Sequence, residues 1–439
     1  MFLTHRLYLA LSAIICCMAA GWWWMPLLGV GQLLLGVLLL AVAADVVLLW
    51  QRRAIRGGRS CSERFSNGDD NEVRLWVESD YPFRIALTVT DEIPHVFQRR
   101  DICFSLAVSP QAGRQTISYR LRPTERGVYG FGRVRVFAAS PLGLVERRYT
   151  CGEALDVKVY PSYLRLHQYE FLAIHQNLSE AGVKRIRRVG HYTEFEQIKD
   201  YVAGDDYRSI NWRATARRHQ LMVNVYQDER SQQIYHLIDK GRVMQQAFRG
   251  MTLLDYSINA ALALSYVAVR KDDRAGLVTF ADHADTFLMA SRHSGHLQRM
   301  QEALYHEETD FGETDFAALC VSVNQHLQRT SLLILYTNFF GIVSLRRQLP
   351  FLQQLSRRHR LLVVFFEDVE LADFAVSPPA DEEERSQREM AAKFIREQQQ
   401  IVATLRQAGI YALLTAPDRL SVDVVNKYLE MKSQGLLSG

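Results

Sequence analysis

The stretch Ile234-Tyr235-His236-Leu237-Ile238-Asp239-Lys240-Gly241-Arg242-Val243 decides the architecture of the chain. Its apolar-rich first half runs into an acid without alternating, which suits a strand covered on both faces. The same kind of strand recurs at Gly276–Phe280, Leu332–Tyr336, Leu361–Phe366 and Ile410–Leu414, with Phe287–Met289 as a short companion. Helical patterns fill the intervals at Leu253–Val269, Phe316–Leu327, 380–408 and Val422–Met431. The third of these opens on Asp381-Glu382-Glu383-Glu384, acids that complement a helix N-terminus, and Gly409 closes it. Apolar strands between helices predict a doubly wound, mostly parallel α/β sheet over residues 231–439. Ligands of such sheets bind at the carboxyl ends of the strands, which brings Asp239 forward.

Upstream, residues 60–165 read as β. Val73–Val77 and Arg133–Phe137 alternate apolar and polar side chains, and Ile85–Val89, Ile102–Val108, Gln115–Leu121 and Val157–Tyr160 are further candidates. Turn signals separate them, so a small antiparallel sandwich is expected. Residues 166–230 are polar and mixed, and the basic run Lys184-Arg185-Ile186-Arg187-Arg188 reads as a solvated loop.

The N-terminal block differs. Between Arg6 and Gln51 lie 44 residues whose only charge is Asp45. A signal-peptide core spans ~7–15 residues and one spanning helix ~20, so this run suits a two-helix transmembrane hairpin. Gly21-Trp22-Trp23-Trp24-Met25-Pro26 would be its turn, with the Trp side chains and Trp50 at the interfaces. Of the net charge of +4, all falls in residues 1–59, in Arg6, Arg52, Arg53, Arg56 and Arg59 against Asp45. Positive flanks on both ends predict that both ends and residues 60–439 are cytoplasmic. The rest of the chain is neutral, which argues against a nucleic-acid binder. Asp45 is expected near the cytoplasmic end, reaching a headgroup or an Arg. The six Cys form no CxxC pair and read as free thiols.

No GxSxG, HExxH, GxxxxGK[ST] or strand-linked GxGxxG occurs. One segment is distinctive: Glu194-Phe195, Tyr201, Gly204-Asp205-Asp206, Arg208, Ile210, Asn211-Trp212 and Ala214-Thr215-Ala216-Arg217. Its paired acids could perform acid–base chemistry or bind a cation, or form a turn locked by Arg208. This segment resembles the signature of the DUF58 family, and Pro141-Leu142-Gly143-Leu144 and Tyr160-Pro161 also look like family features.

The resemblance covers the chain and implies a membrane hairpin (1–59), a β-rich region (60–165), the signature segment (166–230) and a von Willebrand factor A-like domain (231–439). Such domains hold Mg²⁺ on a DxSxS sequence, a loop Thr and a later Asp. Here Asp239 matches the first ligand and Thr314 the Thr, but Gly241 and Val243 replace the Ser residues and Asn338 the Asp. A degenerate metal site without cofactor is expected, in which Arg242 or Lys240 pairs with Asp239 in place of the cation; Asp239 could instead only cap the segment after it. The protein-binding crevice would comprise Asp239, Gly241, Arg242, Thr314 and Asn338.

The resemblance further implies a non-catalytic adaptor on the bacterial inner membrane. Its partners would be the lipid bilayer, a MoxR-type AAA+ ATPase and other membrane or envelope proteins. The alternatives are an adhesion-type module that still binds Mg²⁺, and an enzyme using Asp205 and Asp206. An acidic run at Glu367, Asp368, Glu370, Asp373 and Asp381–Glu384 reads as a solvated loop and helix start, or as a dock for a basic surface.

Overall fold

The computed structural model describes residues 1–50, 55–97, 99, 102–110, 113–164, 193–202, 207–228, 231–309, 311–376 and 382–436. It divides into two units, Met1–Tyr160 and Pro161–Gly439.

In the first unit, helices His5–Ala20 and Met25–Trp50 flank a turn in which Trp22, Trp23 and Trp24 are exposed. Met25–Trp50, at 26 residues, is long and apolar enough to cross a membrane; His5–Ala20 is shorter, at 16 residues. The two helices touch closely at Gly31, where an added Cβ would lie 2.5 Å from Met18 Cγ. Pro26 falls in the first turn of its helix, where its missing N–H costs nothing.

The β region forms strands where its alternation predicts them, but not a wholly antiparallel array, since Arg64–Ser66 pairs parallel with Leu155–Tyr160. Among the described residues, one sheet has the order Phe2–Leu3, Val145–Cys151, Val134–Ala139, Ile85–Asp91, Cys103–Val108. A second joins Ile55–Cys61, Asn71–Ser79 and Gln115–Leu121, and a third Arg64–Ser66, Leu155–Tyr160 and Gly127–Phe131. Val73, Leu75, Leu87, Val89, Val136 and Val157 fill their common core. The charge reading needs one correction here. Arg59 is not a membrane flank, because it lies in a strand and forms a buried ion pair with Asp91, to which Tyr119 also donates. Arg52 and Arg53 lie outside the described residues.

Asp45 is fully buried, and its Oδ2 accepts the backbone N–H groups of Leu144 and Val145, both at 3.0 Å; among the described residues it pairs with no Arg. One turn on, the Leu49 carbonyl accepts from Tyr81 Oη (2.7 Å) and Arg147 Nη1 (2.6 Å). The guanidinium of Arg147 also covers Trp50. Thr4 Oγ1 donates to the Gly143 carbonyl at 2.6 Å. The Pro141–Leu144 turn is therefore where the apolar helices join the sheet.

In the second unit, six strands among the described residues form one sheet in the order Ala284–Ser291, Arg274–Phe280, Gln233–Asp239, Leu332–Tyr336, Arg360–Phe366, Tyr411–Thr415. All neighbours are parallel except the Ala284–Ser291 edge, so the sheet is mixed and mostly parallel. Alternate residues feed separate cores. Ile234, Ile238, Leu277 and Ile334 pack with helices Leu253–Arg270 and Leu420–Ser433. Tyr235, Leu237, Val278 and Leu333 pack with Phe316–His326, Ile342–Arg358 and Glu382–Gln407. Both faces are covered, as the unalternating strands require. The chain winds outward in both directions from Gln233–Asp239. The reversal of strand order therefore falls between Asp239 and the end of Leu332–Tyr336, where the connections diverge and leave a crevice.

Candidate functional site

Asp239 ends the first-wound strand and is fully buried. Its Oδ1 accepts from Thr314 Oγ1 at 2.7 Å and from the Gly241 N–H at 2.9 Å, and its Oδ2 accepts from Thr337 Oγ1 at 2.6 Å. Burial pushes this carboxyl above its ordinary range, against the three hydrogen bonds that hold it down. Thr314 precedes helix Phe316–His326, which Asp315 caps through the N–H groups of Ala317 and Ala318. The cap sets the loop so that Thr314 faces Asp239.

The expected pairing of Asp239 with a cation is not formed. Side chains alternate along a strand, so Lys240 leaves on the opposite face from Asp239. It pairs with Asp285 and, at 3.3 Å, with Glu307. The exposed Arg242 donates its backbone N–H to the Gly312 carbonyl, and its guanidinium makes no ion pair among the described residues. Hydroxyls and an amide, rather than a cation, offset the buried acid. Thr337, which sequence reasoning passed over, supplies one of them; its position between a buried strand and Asn338 was the available signal.

This donor set does not fit a divalent ion. It offers one carboxylate, both of whose oxygens already face protons, and Asn338 Oδ1 accepts the Phe339 N–H at 3.0 Å. Nor can an oxygen ligand be added at position 241: a Cβ there would lie 2.2 Å from Thr314 Oγ1. Gly241 is the space that lets Thr314 reach Asp239.

In front of Asp239 lies a crevice of about 120 Å³, lined by Arg242, Glu313, Thr314, Asn338 and Arg347 among others. Among the described residues, neither guanidinium is in an ion pair. Asn338, Phe339 and Phe340 form one wall and also border a larger cavity of about 410 Å³. These two hollows lie along the carboxyl edge of the sheet.

Of the signature segment, Gly204, Asp205 and Asp206 lie outside the described residues, as do the side chains of Glu194, Phe195 and Arg208. The backbone of strand Thr193–Asp200 pairs antiparallel with Met222–Asp228. Tyr201 continues it through its N–H to the Leu221 carbonyl at 2.8 Å. Asn211 caps helix Trp212–Arg218 by accepting the Ala214 N–H at 3.0 Å, and its Nδ2 donates to Asn224 Oδ1 at 2.8 Å. Thr215 Oγ1 accepts the Met222 N–H at 3.0 Å. These two residues therefore hold the short helix against its own hairpin. Trp212 and Arg217 do no such work and point to solvent; Trp212 is 69% exposed.

Residues 197–404 match the family model described as "Protein of unknown function DUF58". The "Uncharacterized protein YeaD" of Bacillus subtilis (strain 168) is 25% identical over 266 residues, 58% of this chain and 64% of that relative. The chain thus matches less than two thirds of the relative's length. Among solved structures, the conserved hypothetical protein BatB from Bacteroides thetaiotaomicron aligns over 46% of this chain and 100% of its own, at 10% identity and a TM-score of 0.30. The CARDB domain of the PF1109 protein from Pyrococcus furiosus aligns over 24% of this chain and 91% of its own, at 13% identity and a TM-score of 0.18. The signature residues, the matched span and the Bacillus relative agree, and together they support a DUF58 family protein.

Proposed function

We propose that the chain is a membrane-anchored interaction protein, without chemistry of its own, that receives a partner at the Asp239 crevice. The observation that carries this reading is the arrangement around Asp239. Its carboxylate is saturated by Thr314, Thr337 and Gly241, while Arg242 and Arg347 line the crevice without an ion pair among the described residues. A buried acid with three internal donors shapes the loops and does not react. Two such guanidinium groups suit the carboxylate of a partner side chain, the service a metal ion performs in von Willebrand factor A-like domains. The strand order and the place of Asp239 at the reversal point support that fold reading.

Helix Met25–Trp50 supports anchoring, with His5–Ala20 as a second, shorter span and the positive flanks facing the cytoplasm of a bacterial inner membrane. The family resemblance supports a MoxR-type AAA+ ATPase as the partner, in assembly or maturation of membrane or envelope proteins. Affinity capture of the tagged full chain from cross-linked membranes tests this. Enrichment of an AAA+ ATPase over a control carrying residues 1–59 alone is expected, falling at least tenfold with Arg242→Glu/Arg347→Glu. Equal recovery by the control would overturn the reading.

A further inference from the structure

The larger cavity at the carboxyl edge has a chemistry opposite to that of the crevice. Its walls include Phe248, Phe339, Phe340, Phe366 and Phe394, and its acids are Glu367, Asp368 and Glu397. Among the described residues, no Lys, Arg or His lines it. The three acids are half-buried, and among the described residues none is in an ion pair; Asp368 Oδ1 accepts the Leu371 N–H at 3.0 Å. Phe340 and Phe394 are 63% and 49% exposed, so the rings are open to a visitor.

Acids set beside apolar walls, with no cation among the described lining residues, suit an incoming cation. Bare aromatic faces next to those charges favour a planar cation, which can stack on a ring while its N–H groups meet the carboxylates. We propose that this cavity binds an arginine side chain carried, with apolar neighbours, on a segment of a partner protein. Its volume of about 410 Å³ admits that side chain together with an adjoining apolar residue. The shared wall Asn338-Phe339-Phe340 places this acidic cavity beside the Arg242–Arg347 crevice. A partner segment lying along the edge would therefore carry an arginine and an acid in neighbouring positions. The cavity proposal itself does not depend on what fills the crevice.

The test uses the full chain in dodecyl maltoside micelles and a fluorescein-labelled dodecapeptide of alternating leucine and arginine, read by polarisation against protein-free micelles. Binding is expected to weaken at least tenfold in Glu367→Gln/Glu397→Gln and in Phe394→Ala. It should weaken severalfold with lysine in place of arginine and be absent with glutamate. Arg242→Glu/Arg347→Glu should leave it intact, so failure of the crevice reading and failure of this one give different patterns. Undiminished affinity in the carboxamide variant, with its unfolding midpoint unchanged, would overturn the proposal. So would a concentration-dependent dimer in light scattering that Phe394→Ala abolishes, which would assign the cavity to a second copy of this chain.

Discussion

The two hollows on the sheet edge treat negative charge in opposite ways. Asp239 is buried and fully furnished with donors from its own chain, whereas Glu367, Asp368 and Glu397 stand half-buried beside phenylalanine, without an ion pair among the described residues. The positive charges are arranged conversely, with Arg242 and Arg347 lining the crevice and none among the described residues that line the cavity. An internally satisfied acid contributes to the shape of a surface, and an unsatisfied one contributes to what the surface binds.

Mutations break this contrast most strongly at Asp239. Asp239→Ala strands the hydroxyls of Thr314 and Thr337 and is expected to cost about 3–4 kcal/mol, read from denaturant midpoints. Gly241→Ala drives a methyl into Thr314 Oγ1 and should cost about 2–3 kcal/mol. If that variant is as stable as the parent, Thr314 is free to move and the packing argument for a closed site fails.

Acid sharpens the comparison from another side. Burial pushes His236 down to about 3 and His359 down to about 4. Both bind a proton more readily when unfolded, so stability is complete above pH ~6.5 and falls as pH drops toward those values, by about 1.4 kcal/mol per pH unit for each proton. Asp239, held high by burial, acts in the reverse sense above the ordinary carboxylate range. His236→Phe should flatten the urea-midpoint profile between pH 6.5 and 4; an unchanged slope would mean that His236 is not neutral and enclosed.

Smaller effects are expected at the cavity. Glu367→Gln/Glu397→Gln should leave stability within about 0.5 kcal/mol while weakening basic-peptide binding at least tenfold. Loss of stability instead would show that these acids support the fold. Smallest of all is the response to Mg²⁺. An ion at a hundredfold excess over its dissociation constant would add ~2.7 kcal/mol, and no shift in the unfolding midpoint is expected.

Much of this was legible in the chain. Leu332–Tyr336 was read to the residue because an apolar run of that length between polar ends has one comfortable place in a covered sheet. Helix Ile342–Arg358 escaped because Pro350 interrupts its pattern, although the turn around it keeps Leu345, Leu352 and Leu355 on the core. At the site, Asp239, Gly241 and Thr314 were found together, since their spacing follows the strand and the loop. Lys240 was misplaced because its partners, Asp285 and Glu307, come from other parts of the chain. The cavity was invisible for the same reason. Glu367 and Asp368 were read as part of an acidic run, but Glu397 and Phe394 reach them from a different helix.

The contacts at the end of helix Met25–Trp50 have a mechanical consequence. Asp45 grips two amides of the sheet, and one turn later Tyr81 and Arg147 grip the Leu49 carbonyl. A rod held at one point can swivel, but one keyed at two successive turns transmits torque. Keying of this kind opposes any roll of the apolar helix about its axis relative to the sheet.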